Sequence, residues 1–217
     1  MSSLTALDTF LEPLTALFAE EGIQEISINR PGEAWIEKFG EMRHELLPAF
    51  TQEHLQSLAH LIAQSTSQTI SEEKPLLSAT LPDGYRVQVV FPPACADGGI
   101  AMSIRKQAAL MMTLDTYEQL GAFANTKTGL GIHNPMDDIL GDLYAKGDVK
   151  GFISQAVKFK KNIIISGGTS TGKTTFMNAA LTQIPSNERI ITVEDAREVQ
   201  ITHIPNRVHL MVSKGGQ

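Results

Sequence analysis

The stretch that decides the fold is Asn162–Phe176, "NIIISGGTSTGKTTF": an apolar run, a burst of Gly, Ser and Thr around one lysine, then the start of a helical pattern. Gly167, Gly172, Lys173 and Thr174 satisfy G-x-x-x-x-G-K-[ST] at every fixed position. The run Ile163–Ile165 predicts a strand before the loop. "TFMNAALTQI" after it predicts a helix with Phe176, Met177, Ala180, Leu181 and Ile184 on its buried side. Small residues let the backbone curl until successive N–H groups face one concavity, and the helix N-terminus adds partial positive charge beneath it. The chemistry served is phosphate binding. The candidate nucleotide set is Gly167, Gly168, Thr169, Ser170, Thr171, Gly172, Lys173, Thr174 and Thr175. Lys173 supplies the cation for the β- and γ-phosphates of ATP, and the Thr174 hydroxyl is the candidate Mg²⁺ ligand.

Downstream, "ERIITVEDAREVQI" predicts a short apolar strand of Ile190, Ile191 and Val193 with Glu194 and Asp195 at its C-terminal end, where open α/β sheets place ligand-handling groups. Glu198 follows one turn on. A carboxylate near a γ-phosphate can orient water or anchor metal-bound water. Spacing alone equally allows Glu194 and Asp195 merely to cap and solvate the strand end.

Upstream, Leu7, Phe10, Leu11, Leu14, Leu17 and Phe18 recur at three and four and predict one helical stripe. "EEGIQEISINRPGEAWIEKFG" alternates around an Asn-Arg-Pro-Gly turn, as a hairpin does. A second helix is expected from about Thr51 to Gln64, with Leu55, Leu58, Leu61 and Ile62 on one face. "PLLSATLPDGYRVQVVFPPA" holds two strand-like runs and "GIAMSIRK" another. The segment Gln107–Gly147 carries helical patterns near "TLDTYEQLGAF" and "MDDILGDLYA" around a turn-rich "ANTKTGLGIHNP", as a hinge between domains would. "DVKGFISQAVKFKK" predicts the helix that feeds the phosphate loop.

Composition bounds the partners. With 217 residues, 42% hydrophobic and 19% charged, the chain is an ordinary globular one. The formal net charge of −6 and the absence of a long Lys/Arg block argue against direct nucleic-acid binding. Cys95 is the single cysteine, read as a small apolar filler, so no disulfide or CxxC zinc site is expected. "MSSLTALDTFLEPL" lacks the pattern of a secretory signal, and no apolar stretch approaches the roughly 20 residues that cross a bilayer, so a cytoplasmic protein is expected. His44, His54, His60 and His133 show no metal-ligand spacing and are read as surface residues; His203 and His209 are read as ordinary strand or loop histidines.

Five stretches together carry a family likeness: "EISINRPGEAWIE", "YRVQVVFPPA", "SIRK", "SGGTSTGKTTFMNAAL" and "IPSNERIITVEDAREVQI". The chain resembles the hexameric ATPases of type IV secretion systems, the VirB-type members of a superfamily shared with type II secretion and type IV pilus motors. The resemblance implies an α/β protein: an α+β N-terminal domain over 1–106, a linker with short helices over 107–147, and the first part of a RecA-like P-loop domain over 148–217. It implies a motor subunit that binds and hydrolyses ATP with Mg²⁺ to power channel and pilus assembly and substrate transfer; the alternatives are a type II secretion or type IV pilus motor ATPase, or a ring module that binds nucleotide without turnover. It implies that Arg105 reaches the nucleotide phosphates, that Glu198 falls at the catalytic position of the acidic box, and that Glu194 and Asp195 assist. Expected partners are five further copies in a homo-hexamer, other secretion ATPases and inner-membrane channel components. Membrane association would be peripheral, at the cytoplasmic face. No tetracysteine segment of the type II branch is present. After "NRVHLMVSKGGQ" nothing remains to supply a Walker B segment and a histidine box. A sheet with only its first two or three strands would leave an apolar face and an open edge. The expectation is therefore a piece of a longer ATPase that alone turns over weakly or not at all.

Overall fold

Pro13 interrupts the first predicted helix. The computed structural model, which describes residues 6–106, 113–126 and 134–212, divides the stripe into α1 (Ala6–Leu11), a 3-10 turn (Glu12–Leu14) and α2 (Thr15–Ala19). Proline has no N–H to donate back along the helix, and its ring crowds the preceding turn. The apolar face survives the break: Leu7, Leu14 and Leu17 remain buried.

The chain forms two compact units, one of 1–107, 187–199 and 204–217, the other of 108–186 and 200–203. The first holds a six-stranded antiparallel sheet in the order β3-β2-β1-β6-β5-β4. The expected hairpin is β1 (Ile23–Ile28) with β2 (Glu33–Lys38), closed through Gly32 at φ 84°. The runs from "PLLSAT" onward are β4 (Leu76–Thr80), β5 (Arg86–Val90) and β6 (Ala101–Arg105). β3 (Glu41–Leu46) was not expected, because Met42 and Leu46 are the only apolar residues in "EMRHEL" and make a weak alternating signal. The two-residue turn Phe39–Gly40, both at positive φ, folds it onto β2, and its polar character suits a sheet edge.

The helix predicted after Thr51 is α3 (Gln52–Ser65), whose cap is the Thr51 hydroxyl accepting from His54 N at 3.1 Å. Leu55, Leu58 and Ile62 pack with Ile26, Ile36, Val87 and Ile104 from one sheet face in the main core. His54 corrects its reading as a surface residue. It is half-buried between the rings of Phe10 and Phe50, at 4.8 and 4.9 Å, with Nε2 at 2.9 Å from Phe10 O.

The strand after the phosphate loop, β7 (Ile190–Glu194), pairs in parallel with β8 (Arg207–Met211). The pair joins the first unit through polar and main-chain contacts. Asn29 Nδ2 donates to Asn206 Oδ1 at 2.8 Å with both residues buried, Met211 N donates to Ala94 O at 2.8 Å, and Arg189 meets Glu25 at 3.3 Å. Cys95 is buried beside Ala101 and Val208, the apolar filler expected of it.

The second unit is helical: α4 (Leu114–Gln119), α5 (Pro135–Ala145), α6 (Val149–Lys158) and α7 (Lys173–Leu181). Asn134 and Asp148 cap α5 and α6, and Tyr144 meets Phe152 between them. Most of "ANTKTGLGIHNP", including His133, lies outside the described residues. Two expectations fail here. Ile163–Ile165 forms no strand, and Ile164 is 93% exposed. No residue of α7 is fully buried either, and Phe176 is 46% exposed. One cause covers both: an extended segment becomes a strand only by pairing, and no ladder partner is present for this one among the described residues. Among the described residues this unit has no sheet layer, and Met177, Ala180, Leu181 and Ile184 are only half-buried.

Leu58→Ala is therefore expected to lower stability in urea unfolding by about 2–5 kcal/mol. Ile164→Ala should change it by less than about 0.5 kcal/mol. A core-sized loss at Ile164 would contradict its exposure.

Candidate functional site

The phosphate loop is shaped by its small residues. Ser170 and Gly172 both adopt positive φ, 60° and 82°. A Cβ on Gly167 would lie 2.8 Å from Thr171 Oγ1, so a side chain there would have to displace that hydroxyl. Thr171 Oγ1 donates to Gly168 O at 2.9 Å, and Lys173 Nζ also donates to Gly168 O, which holds the ammonium over its own loop. Gly172 is the N-cap of α7 and has no side chain with which to cap it. α7 therefore begins without a side-chain cap, with Lys173 and Thr174 as its first two residues, and such a helix N-terminus favours an anion.

The acidic stretch is built differently. Glu194 ends β7 and is only 8% exposed. Its Oε2 accepts from the backbone N–H groups of Glu198 and Val199, both at 2.8 Å, and its Oε1 accepts from Thr192 Oγ1 at 2.6 Å. His209 Nδ1 lies 3.2 Å and Arg197 Nη1 3.6 Å from Oε1. Burial alone would raise this carboxyl; the donors from Thr192, Val199 N–H and Glu198 N–H outweigh it and hold the pKa at about 2. His209, buried in β8, has its pKa lowered by that burial and by the positive charge of Arg197. Arg197 Nη1 sits 2.7 Å from His209 Nδ1. A guanidinium only donates, so Nδ1 is the acceptor and the imidazole is neutral with its proton on Nε2.

Glu194 is therefore a latch. Its charge is spent inside the protein, ordering the turn Asp195–Val199, while Asp195 and Glu198 on that turn are exposed. Arg105 is exposed at the end of β6, paired in register with Glu25 and Arg86. Sequence reasoning missed three members of the cluster: Thr192, Arg197 and His209. The signal was a histidine inside the apolar strand "RVHLM", where a polar ring needs a partner. Among the described residues no group of His, Cys, Asp and Glu is placed to hold a metal, and no helix is long and apolar enough to cross a membrane.

Comparison with known proteins supplies the lineage. The family described as "Type II/IV secretion system protein" matches residues 139–213. The type IV secretion system protein VirB11 of Brucella suis is 38% identical over 200 residues, 92% of this chain and 55% of that protein. PtlH of Bordetella pertussis is 37% identical over 206 residues, 95% of this chain and 60% of that protein. A crystal structure of the VirB11 ATPase from the Brucella suis type IV secretion system, in complex with sulphate, superposes with a TM-score of 0.91 at 37% identity. It covers 96% of this chain and 64% of that one. The chain thus spans under two thirds of the length of these relatives.

The latch makes a prediction with a definite sign. A carboxyl whose folded pKa lies below its unfolded value of 4.5 contributes stability that is present above pH 4.5 and lost as pH falls through about 2. In Glu194→Gln this part of the pH dependence should vanish, and hydrogen exchange at the Glu198 and Val199 amides should quicken at neutral pH by a loss of about 1–3 kcal/mol of protection. Unchanged exchange would remove the latch. Over the length that it spans, the chain belongs to the family of VirB11-type type IV secretion system proteins.

Proposed function

We propose that this chain is the nucleotide-binding part of a motor subunit that hydrolyses ATP to drive assembly of a type IV secretion channel and its pilus, and transfer of substrate through it. The observation that carries the reading is the loop Gly167–Thr174, whose glycine at 167 and left-handed residues at 170 and 172 form a cradle opening onto α7. Membership of the VirB11-type family supports it. In this reading 1–106 is the N-terminal domain, 107–147 the linker and 148–217 the first part of the ATPase domain.

Lys173 neutralises the β- and γ-phosphates, and the loop amides from Gly168 to Thr175 hold them in place. Thr174 would hold Mg²⁺, which when bound offsets charge between the same phosphates. Glu198, carried on the turn that Glu194 orders, orients the attacking water; Asp195 supports it. Arg105 contributes a further positive charge to the phosphates. Rate enhancement then comes mostly from positioning and charge stabilisation, with little covalent chemistry for the protein to perform. The subunit works as a homo-hexamer at the cytoplasmic face of the inner membrane, held there by other secretion ATPases and channel components.

Calorimetric titration of this chain with ATP and Mg²⁺ tests the reading. Binding is expected, with Lys173→Ala weakening it at least about tenfold, the equivalent of one charge-assisted contact. Phosphate release by the same chain should be weak. Lys173-independent binding would sink the assignment of the loop, and brisk Lys173-dependent release would show that the 217 residues suffice for turnover.

A further inference from the structure

The first unit encloses a second feature that the proposed chemistry does not use. A cavity of about 450 Å³ is lined by Arg30 from the β1–β2 turn, Arg197 from the acidic turn, Arg207 from β8, and His209, beside the backbone of Gly98 and Gly99. That volume suits a small organic ligand.

The three guanidiniums are held in place. Arg30 Nη2 donates to Pro205 O at 2.6 Å, Arg207 Nη1 to Ile204 O at 2.6 Å, and Arg197 Nη1 to Val199 O at 2.9 Å. Two carboxylates partly balance them: Glu33, 2.6 Å from Arg30 Nε, and Glu194, 3.6 Å from Arg197 Nη1. A guanidinium has five N–H donors. These contacts leave Nη1 of Arg30 and both Nε and Nη2 of Arg197 without a partner among the described residues. His209, 8% exposed, adds an Nε2–H donor, because its Nδ1 already accepts from Arg197. Fixed, converging donors of this kind match the oxygens of a phosphate dianion.

We propose that this cavity binds a small phosphate-bearing anion through Arg30, Arg197 and Arg207, and that its occupancy clamps the turn carrying Glu198. Arg197 couples the two. Its Nη1 stays on Val199 O and His209 while its remaining donors take the ligand, so a bound anion adds a tether to the turn that Glu194 already holds. The binding stands without the proposed role of Glu198; only a consequence for turnover rests on that reading.

The experiment uses the full 217-residue chain carrying Lys173→Ala, so that the phosphate loop does not compete. Inorganic pyrophosphate is titrated at constant ionic strength while backbone amides are followed by NMR. Saturable shifts at Gly98, Gly99, Arg207 and Glu198, complete below about 1 mM, are expected. Exchange at the Val199 amide should slow. Arg30→Gln, on an exposed turn, should weaken the binding about tenfold. Arg86→Gln, an equal loss of charge elsewhere on the sheet, should leave it unchanged. Equal weakening by the two variants, shifts confined to Gly167–Thr175, or a response linear in pyrophosphate would overturn the site. A further arm uses phosphatidylglycerol vesicles. Arg30-dependent flotation without any response to pyrophosphate would assign the arginines to lipid headgroups and overturn the small-anion cavity.

Discussion

A carboxylate taken out of water must have its lone pairs met by donors, and at Glu194 that requirement organises the whole end of β7. Thr192 on the same strand and the amides of Glu198 and Val199 beyond it donate to its two oxygens, beside His209 of the paired strand. Had any of these donors been absent, burial would push the carboxyl toward its neutral form and the turn would lose its anchor. The parallel register that places Thr192 opposite His209 is thus tied to the conformation of the acidic turn. Glu194 sits in an acidic motif, yet its contribution is to fix where Glu198 and Arg197 begin.

The legible part of the fold was the part whose signals are local. Alternation and turn residues gave the strands of the antiparallel sheet except β3, the Thr51 cap gave α3, and glycine spacing gave the tight turn that opens α7. What escaped depended on neighbours. β3 is charged on one face, carries only Met42 and Leu46 as apolar residues on the other, and is returned to β2 by a two-residue turn. Ile163–Ile165 is apolar enough for a buried strand and still makes no ladder, since strand character belongs to a pair and not to a run. Within the candidate site the loop could be read from its own sequence. The cluster of Thr192, Arg197 and His209 could not, because its members meet only through the pairing of β7 with β8. The family likeness, by contrast, was carried by motifs in both halves of the chain, and the comparisons agree with it.

Net charge and local charge part company in this molecule. An overall balance of −6 lowers the case for a nucleic-acid surface, but says nothing of a cavity where three arginines from separate segments are fixed by backbone carbonyls. Converging cations repel one another, so their arrangement is held by the fold and partly offset by Glu33 and Glu194 from behind. The ion pairs at the surface are of another kind. Glu20, Lys38 and Arg43 are each about a third exposed, and solvent screening leaves such contacts little net weight.

Val199 and Gln200 carry neighbouring amides whose acceptors are of different kinds. Val199 N is captured by Glu194, on the strand that anchors the acidic turn. The next amide, Gln200 N, is captured by Asn178 Oδ1 on α7, the helix that begins at Lys173, at 2.9 Å. His203, a few residues on, reaches Ile184 O at 3.2 Å beyond the end of that helix. The bond to the buried, ionised Glu194 is the stronger, since an amide bound to a charged acceptor in a dry site is held about twice as firmly as one bound to a neutral amide oxygen near solvent. Of these two neighbouring amides, the one at Val199 is accordingly the more firmly held, because its acceptor has no water to turn to.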